Sequence, residues 1–386
     1  MNDYVQRNKA IIVYPSINYT GGVERVMVEV LKFLAKDGFK IDVICSEIDQ
    51  SLESLCENIR RLPLKKSKNT FLDIWQRIQW MKDAHQIANQ LKTPHSKIIS
   101  APCALFSADL VMAGSCHLAA QATRLKHGAF KWLFNPKHWF YILSEAILFL
   151  KGSPKILVPS QRTKSEITFF YGAAKERVHI VPHGVDLRNF FPSTASKSGL
   201  ANSLGIDQDA TILLTVTNEI KRKGCLEVLD ALKLIHGDTS KFHYVVIGKD
   251  NPTELLTKAK ALGLSSQVSA LPAANREQLT RAYQGSDLFL LPTEYESFGL
   301  VGIEALACGL PVLCTKVGGL EDYISDGVDG IFVARNKTSI TQGLKQFFSL
   351  SPEDRSRMKI MAHEKAQHYK WENVLKPLPA FLLSKK

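Results

Sequence analysis

The stretch Glu294-Tyr295-Glu296-Ser297-Phe298-Gly299-Leu300-Val301-Gly302-Ile303-Glu304 follows the apolar run Asp287 to Leu291 through Pro292-Thr293 and leads into a helix-period segment that starts near Leu300. A strand that breaks into a polar loop and then at once into a helix is the repeating unit of parallel sheets with crossover helices. The first amides of such a helix have no acceptor inside it and its dipole is positive at that end, so the junction is an anion cradle. Gly299 lets a phosphate come close to the backbone. Glu296 stands in the loop, and Glu304 lies about two turns further in, within reach of a ligand that extends away from the phosphate. A carboxylate accepts hydrogen bonds from vicinal hydroxyls, which makes a ribose or a hexose its natural partner.

Outward from this junction the same unit recurs along the chain. In the first half the strand candidates are Ala10 to Tyr14, Lys40 to Cys45, Lys97 to Ser100, Leu110 to Ala113, Lys155 to Val158 and Val178 to Val181, with helical patterns between them. The second half repeats the scheme with Thr211 to Val216, His243 to Ile247, Val268 to Leu271, Asp287 to Leu291, Pro311 to Cys314 and Gly330 to Val333. The turn residues Pro182-His183-Gly184-Val185-Asp186, followed by Pro192 and the Ser-rich stretch Ser193 to Ser198, mark a boundary near residue 186. At 386 residues the chain exceeds what one core usually supports. The expectation is therefore an α/β protein of two doubly wound, Rossmann-like domains, 1–185 and 186–386. They face a cleft, with ligands at the carboxyl ends of the strands. The closing segment from Pro352 is helical in pattern and ends in Leu-Pro-Ala-Phe-Leu-Leu, which suits packing back onto the first domain.

Composition narrows the class. With 45% hydrophobic and 22% charged residues the chain is ordinary globular material, not a disordered one. Seven cysteines are scattered without Cys-x-x-Cys or zinc-ligand spacing and read as reduced thiols in a cytosolic protein. No apolar run has the length of a membrane span, the longest candidate, Tyr141 to Leu150, being broken by Ser144 and Glu145. Charge is unevenly placed: residues 1–185 hold 25 Lys and Arg against 15 Asp and Glu, a net of +10, whereas residues 186–386 hold 24 against 22, a net of +2. Such asymmetry favours a polyanionic partner over a mere aid to solubility. Lys65-Lys66-Ser67-Lys68 and the segment Arg124 to Lys155, with Lys126, Lys131, Trp132, Phe134, Lys137, Trp139, Phe140 and Tyr141, mix cations with aromatics in the manner of a membrane interface. An ordinary helix burying its aromatics would show the same composition.

Three further elements fall at strand-to-helix junctions. Asn218-Glu219-Ile220-Lys221-Arg222-Lys223-Gly224 follows the run Thr211 to Val216 and offers a cation to a departing diphosphate, while Lys221 and Arg222 also fit positions that simply face water. Tyr19-Thr20-Gly21-Gly22-Val23-Glu24-Arg25 opens the first helix; taken alone, a glycine pair there also fits a plain tight turn. Ala113-Gly114-Ser115-Cys116-His117 follows the run Leu110 to Ala113, and His117 fits either a structural role or a hydrogen bond to a sugar hydroxyl. Asp109 reads as a turn residue. Asp207-Gln208-Asp209 precedes a strand instead of following one and reads as surface loop, so no metal site is expected, and a hydrolase nucleophile elbow is missing.

The spacing Glu296-x7-Glu304 with Phe298-Gly299 resembles the signature of retaining nucleotide-sugar glycosyltransferases of the GT-B fold, family 4. Similarity continues through Ala305-Leu306-Ala307-Cys308-Gly309-Leu310-Pro311-Val312 and Gly318-Gly319-Leu320-Glu321-Asp322-Tyr323-Ile324, and in all runs from Gly21-Gly22 to about Val333. The resemblance implies transfer of a hexosyl group from a nucleoside diphosphate sugar, by preference a uridine one, with retention of configuration and with no cofactor or metal. It implies that Gly22, Asn218, Arg222, Lys223, Ser297, Phe298, Gly299 and Leu300 bind the donor. Glu296 would hold sugar hydroxyls, Glu304 the ribose, and His117 would sit near sugar and acceptor. Members of the family carry an arginine five positions before the lysine, where this chain has Asn218. The branch it looks most like builds lipopolysaccharide core and other cell-envelope glycans. A lipid-linked or glycan acceptor at the inner face of the cytoplasmic membrane is therefore expected, and no nucleic-acid partner. Alternatives on the same architecture are a non-catalytic partner subunit, and a sugar-nucleotide epimerase or phosphorylase.

Overall fold

A computed structural model of the chain describes residues 8–383 apart from 66, 127, 129, 153–154, 194–195 and 238–240. Lys66 of the basic run, the side chain of Lys131 and residues 194–195 of the Ser-rich stretch thus lie outside the described residues. The chain divides into two units, residues 1–183 with 371–386, and residues 184–370. The division falls two residues before the sequence boundary. The last residues, counted above with the second domain, belong to the first unit.

The first unit runs β1(Lys9–Val13), β2(Ser16–Ile17), α1(Gly22–Lys36), β3(Lys40–Cys45), β4(Glu47–Ile48), β5(Asn58–Arg61), α2(Thr70–Leu91), β6(Ser96–Ser100), β7(Leu110–Met112), α3(His117–Lys126), α4(Pro136–Ile147), β8(Lys155–Val158), α5(Gln161–Tyr171) and β9(Val178–Ile180). Seven of its strands form one parallel sheet in the order β5-β3-β1-β6-β7-β8-β9, and β2 pairs with β4 beside it. Central strands such as β1, Lys-Ala-Ile-Ile-Val, are apolar on both faces because helices cover both sides. The edge strand β5, Asn-Ile-Arg-Arg, is mostly exposed and polar, so no apolar run marks it in the sequence. Its carboxyl-end neighbour α2 starts at Asn69, whose side chain accepts from the Leu72 N–H.

The second unit runs α6(Ser196–Leu204), β10(Thr211–Val216), α7(Cys225–Ile235), β11(Phe242–Ile247), α8(Thr253–Ala261), β12(Val268–Leu271), α9(Arg276–Gln284), β13(Leu288–Leu291), α10(Leu300–Ala307), β14(Val312–Cys314), α11(Leu320–Tyr323), β15(Gly330–Phe332), α12(Lys337–Ser349) and α13(Pro352–Gln367). Its six strands are parallel in the order β12-β11-β10-β13-β14-β15. Helix starts follow local chemistry: α9 opens with a reciprocal Asn275–Gln278 capping box, and α13 with Ser351 accepting from the Asp354 N–H ahead of Pro352. The chain closes with α14(Trp371–Val374) and α15(Leu378–Leu383), where Trp371, Leu375, Leu378 and Leu382 join the core built on α1, β1 and β3.

In each sheet the strand order reverses once, between β1 and β6 in the first unit and between β10 and β13 in the second. Doubly wound sheets bind ligands at such points, just beyond the carboxyl ends of the strands. The loops that leave β10 and β13 carry Asn218 to Gly224 and Thr293 to Gly299; the loops that leave β1 and β7 carry Gly21-Gly22 and Gly114 to Cys116.

Candidate active site

In the second unit the two loops at the β10/β13 reversal are stitched together. The Glu294 N–H donates to the Arg222 carbonyl (3.0 Å), and the Thr293 hydroxyl reaches the carbonyls of Arg222 and Tyr295 (3.3 and 3.2 Å). The Arg222 guanidinium donates to the Tyr295 carbonyl as well and is held by Glu219 through its Nε at 2.8 Å. This framework brings Lys223 and Glu296 into direct contact, Nζ against Oε1, with Arg222 Nη1 3.6 Å from the same oxygen. Both side chains of the pair are about nine-tenths buried (10% and 11% exposed). Burial, and after it the neighbouring Arg222 charge, push the Lys223 ammonium down to about 7, a shift that the nearby Glu219 carboxylate opposes. Sequence reading named all three residues; their meeting across 73 positions is what the fold adds.

Two glycines shape the Glu296 loop. Gly318 has φ +56°, and a Cβ on it would run into the Glu296 carbonyl, so any other residue would displace that loop. Gly299 caps α10 with φ +86°, and its carbonyl accepts from the Tyr323 hydroxyl at 2.8 Å. The Leu300 amide then opens α10, while Phe298 is buried against Tyr323 and Tyr369 and serves as the anchor of the loop. The Ser297 carbonyl accepts from the Gly319 N–H. Glu304 lies inward on α10, buried, and Oε2 accepts from the Tyr283 hydroxyl at 3.2 Å. Next to Tyr283, Ala282 lines an apolar cavity of about 680 Å³ between α6, α9 and the carboxyl ends of β11 and β12, where Ile247 and Leu271 to Ala274 form one wall.

Asn218 does something other than stand in for an arginine. Its Oδ1 accepts from the Lys249 N–H at 2.9 Å, and Asp250 Oδ2 accepts from the Ile220 N–H at 2.8 Å, so this turn is fastened to the loop after β11. Sequence reading also missed Arg335. Its guanidinium joins Glu227 Oε1 (Nε, 3.0 Å), Glu294 Oε2 (Nη1, 3.1 Å) and the Lys221 carbonyl (Nη2, 2.6 Å), tying the lysine turn to the glutamate loop. The available signal was its place, three residues past β15 at the carboxyl end of the sheet.

In the first unit Gly22 is exposed at the start of α1, in a loop held by Asn18, which accepts from the Thr20 N–H at 3.0 Å and donates to Glu47 at 3.1 Å. His117 is the first residue of α3. Its N–H donates to Glu145 Oε2 (2.9 Å), its Nε2 lies 3.0 Å from His138 Nδ1 and 3.2 Å from Gln121 Nε2, and its ring stacks on His138. Burial first, then the His138 and Arg124 neighbours, lower His117 to about 4. Burial raises Glu145 to about 7 although the Tyr171 hydroxyl donates to it at 2.7 Å. The basic aromatic segment divides. Trp132 is buried against His138 and Trp139, contrary to its expected place on a surface, while Phe134, Trp139, Leu143, Ile147 and Leu150 are exposed. Phe71, Leu72 and Trp75 on α2 are exposed too, and the Lys137–Asp73 ion pair at 3.1 Å joins the first turns of α4 and α2. Among the described residues no cluster of three or more His, Cys, Asp or Glu is placed to hold a metal, and no helix is long and apolar enough to cross a membrane.

Comparison with known proteins matches these two units in turn. The model of a family described as Glycosyltransferase Family 4 matches residues 20–189, and that of Glycosyl transferases group 1 matches residues 197–365. The chain belongs to the glycosyltransferases of the GT-B fold. A glycosyltransferase of Frankia alni named D-inositol 3-phosphate glycosyltransferase is 29% identical over 266 residues, 66% of this chain and 64% of the relative, so the chain spans less than two thirds of that relative's length. Among solved glycosyltransferase structures, WaaG, involved in lipopolysaccharide biosynthesis, has the same fold with a TM-score of 0.77 at 20% identity, over 98% of this chain and 100% of that one. Anabaena HepE, solved in complex with UDP-glucose, reaches 0.68 at 16% identity, over 97% and 99%.

Proposed function

We propose that the chain transfers a hexosyl group from a UDP-sugar to a hydroxyl of an anionic cell-envelope acceptor, with retention of configuration. The observation that carries this reading is the convergence of Lys223, Arg222 and Glu296 beside the first turn of α10. Lys223 and the amides at Gly299 and Leu300 take the diphosphate, as cations and helix starts do. Glu296 accepts from hydroxyls of the sugar, and Glu304, oriented by Tyr283, from those of the ribose. The cavity walled by Ile247 and Leu271 to Ala274 receives the base. In the transfer the bond from the anomeric carbon to the diphosphate oxygen breaks, the bond to the acceptor oxygen forms on the same face, and the hydroxyl proton leaves with the diphosphate. His117, neutral at working pH, offers a hydrogen bond to a hydroxyl.

Two relatives bear on the acceptor: one is named for an inositol phosphate and one for lipopolysaccharide, both rich in hydroxyls and anionic. The net +10 of residues 1–185 suits either. Trp139, Leu143, Ile147 and Leu150 have the spacing of one helix face; Phe71, Leu72 and Trp75 are exposed on α2, which the Lys137–Asp73 pair ties to α4, and Lys65, Lys68 and Lys126 are exposed as well. These exposed residues suit an anionic membrane surface, where aromatics enter the interface and lysines meet headgroups. Loss of sedimentation with phosphatidylglycerol vesicles in Leu143→Asp, at unchanged Tm, is the expected outcome; binding that persists removes the membrane from the reading.

The deciding experiment is a panel of nucleoside diphosphate sugars assayed for slow hydrolysis, which needs no acceptor, run with and without EDTA. UDP-sugar cleavage insensitive to EDTA supports the proposal. A panel with no cleavage, together with no thermal stabilisation by UDP, refutes it.

A further inference from the structure

The two residues assigned above to the donor's diphosphate and sugar hold each other. Glu296 Oε1 is buried and has no hydrogen-bond partner apart from the Lys223 ion pair. Arg222 Nη1 lies 3.6 Å from the same oxygen but donates no hydrogen bond to it, its guanidinium being engaged by Glu219 and the Tyr295 carbonyl. A buried ion pair tolerates exchange of partners but not loss of one, because the charge left behind is neither paired nor hydrated. Whatever draws Lys223 away must therefore also supply hydrogen-bond donors to Glu296.

On the assignment of the UDP-sugar to this site, which this inference rests on, substrate and product differ in that respect. A UDP-sugar carries phosphate oxygens for Lys223 and sugar hydroxyls for Glu296. UDP carries only the first, and it sets its negative charge beside a carboxylate whose Oε1 is left without a hydrogen-bond donor. We propose that the Lys223–Glu296 pair is a specificity device that favours the intact donor over UDP and expels UDP once the sugar has left. After transfer the hydroxyls depart with the acceptor, Glu296 loses its donors, and it competes with the remaining diphosphate for Lys223. The low dielectric around the pair strengthens this competition, since both side chains are shielded from water.

The test measures binding of UDP and of UDP-glucose by calorimetry on the full chain, for the wild type, Glu296→Gln and the same change in a Lys223→Met background. Glu296→Gln is expected to bind UDP about ten-fold tighter or more, because the competing carboxylate is gone, while UDP-glucose gains less or loses affinity. In the Lys223→Met background the same change is expected to leave UDP affinity unaltered. Tightening of equal size in both backgrounds, which a general effect of negative charge would produce, overturns the proposal, as does unchanged or weaker UDP binding by Glu296→Gln. Should the Gln variant not fold, Glu296→Asp answers the question: it keeps the charge but retracts it by one methylene, so the pair loosens and UDP binds tighter, whereas a field effect leaves UDP binding unchanged. A wild type that binds no nucleoside diphosphate refutes the functional reading and the inference together; a wild type that binds UDP with no response in the variants refutes the inference alone.

Discussion

The Lys223–Glu296 pair in the second unit and the His117–Glu145 pair in the first are both buried, and burial pulls Lys223 toward its neutral form as it does His117 and Glu145, yet the two pairs meet in different ways. Lys223 and Glu296 face each other as opposite charges and satisfy one another in place of water. His117 and Glu145 meet through a backbone N–H, so neither supplies charge to the other; the imidazole falls to about 4 and the carboxyl rises to about 7, both toward the neutral form. One unit stores charge in a form a ligand can claim. The other removes charge and leaves a neutral hydrogen-bonding surface around His117, Gln121 and His138. A diphosphate needs the first kind of site and a hydroxyl the second.

Substitutions can break this contrast. Lys223→Ala and Glu296→Ala are each expected to lower turnover by about 10²-fold or more, the scale of a lost transition-state charge contact, whereas His117→Ala is expected to cost about ten-fold. Initial rates of sugar transfer decide it, and an equal loss at His117 would erase the distinction. A smaller effect is expected at Arg335, which positions the charged site without belonging to it. Arg335→Met removes the guanidinium from Glu294 and the Lys221 carbonyl and should lower turnover by about ten-fold and stability by about 1 kcal/mol, as expected when part-buried and exposed hydrogen bonds are lost. Chemical denaturation with parallel rate measurements tests this; a Tm loss with unaltered rates would make Arg335 a purely structural residue.

The smallest effect expected is on the neutral site. Between pH 4.5 and about 7 the folded chain keeps a proton on Glu145 that the unfolded chain has lost, so this group's contribution to stability declines as pH rises through that window and is flat above it. Glu145→Gln has no such titration. Its Tm relative to the wild type should climb by a few degrees from pH 5 to pH 7.5, and a difference independent of pH would show that Glu145 ionises at its ordinary value.

Much of this was legible in the sequence because the physics involved is local. Each central strand announces itself as an apolar run, Glu296 and Lys223 stand at strand-to-helix junctions where amides are left over, and Glu304 follows Glu296 at a helical spacing. What the sequence hides is long-range or faces water. Arg335 acts 41 positions from Glu294 and sits in the unremarkable segment Val333-Ala334-Arg335-Asn336. Strand β5 is polar because it lies at an edge, and Asn218 fastens a neighbouring loop, a role no spacing rule encodes. Trp132 and Trp139 share one aromatic segment, but 8% exposure separates the first from the second at 46%, and only the fold decides which faces inward.

The return of residues 371–383 to the first unit has a consequence for synthesis. Residues 184–370 form a contiguous insert within the first unit's chain, and the first unit's core lacks Trp371, Leu375, Leu378 and Leu382 until residues 371–382 are made. On the ribosome, then, the second unit has its whole sequence available before the first does. The half that is translated earliest is the one that must wait to finish folding.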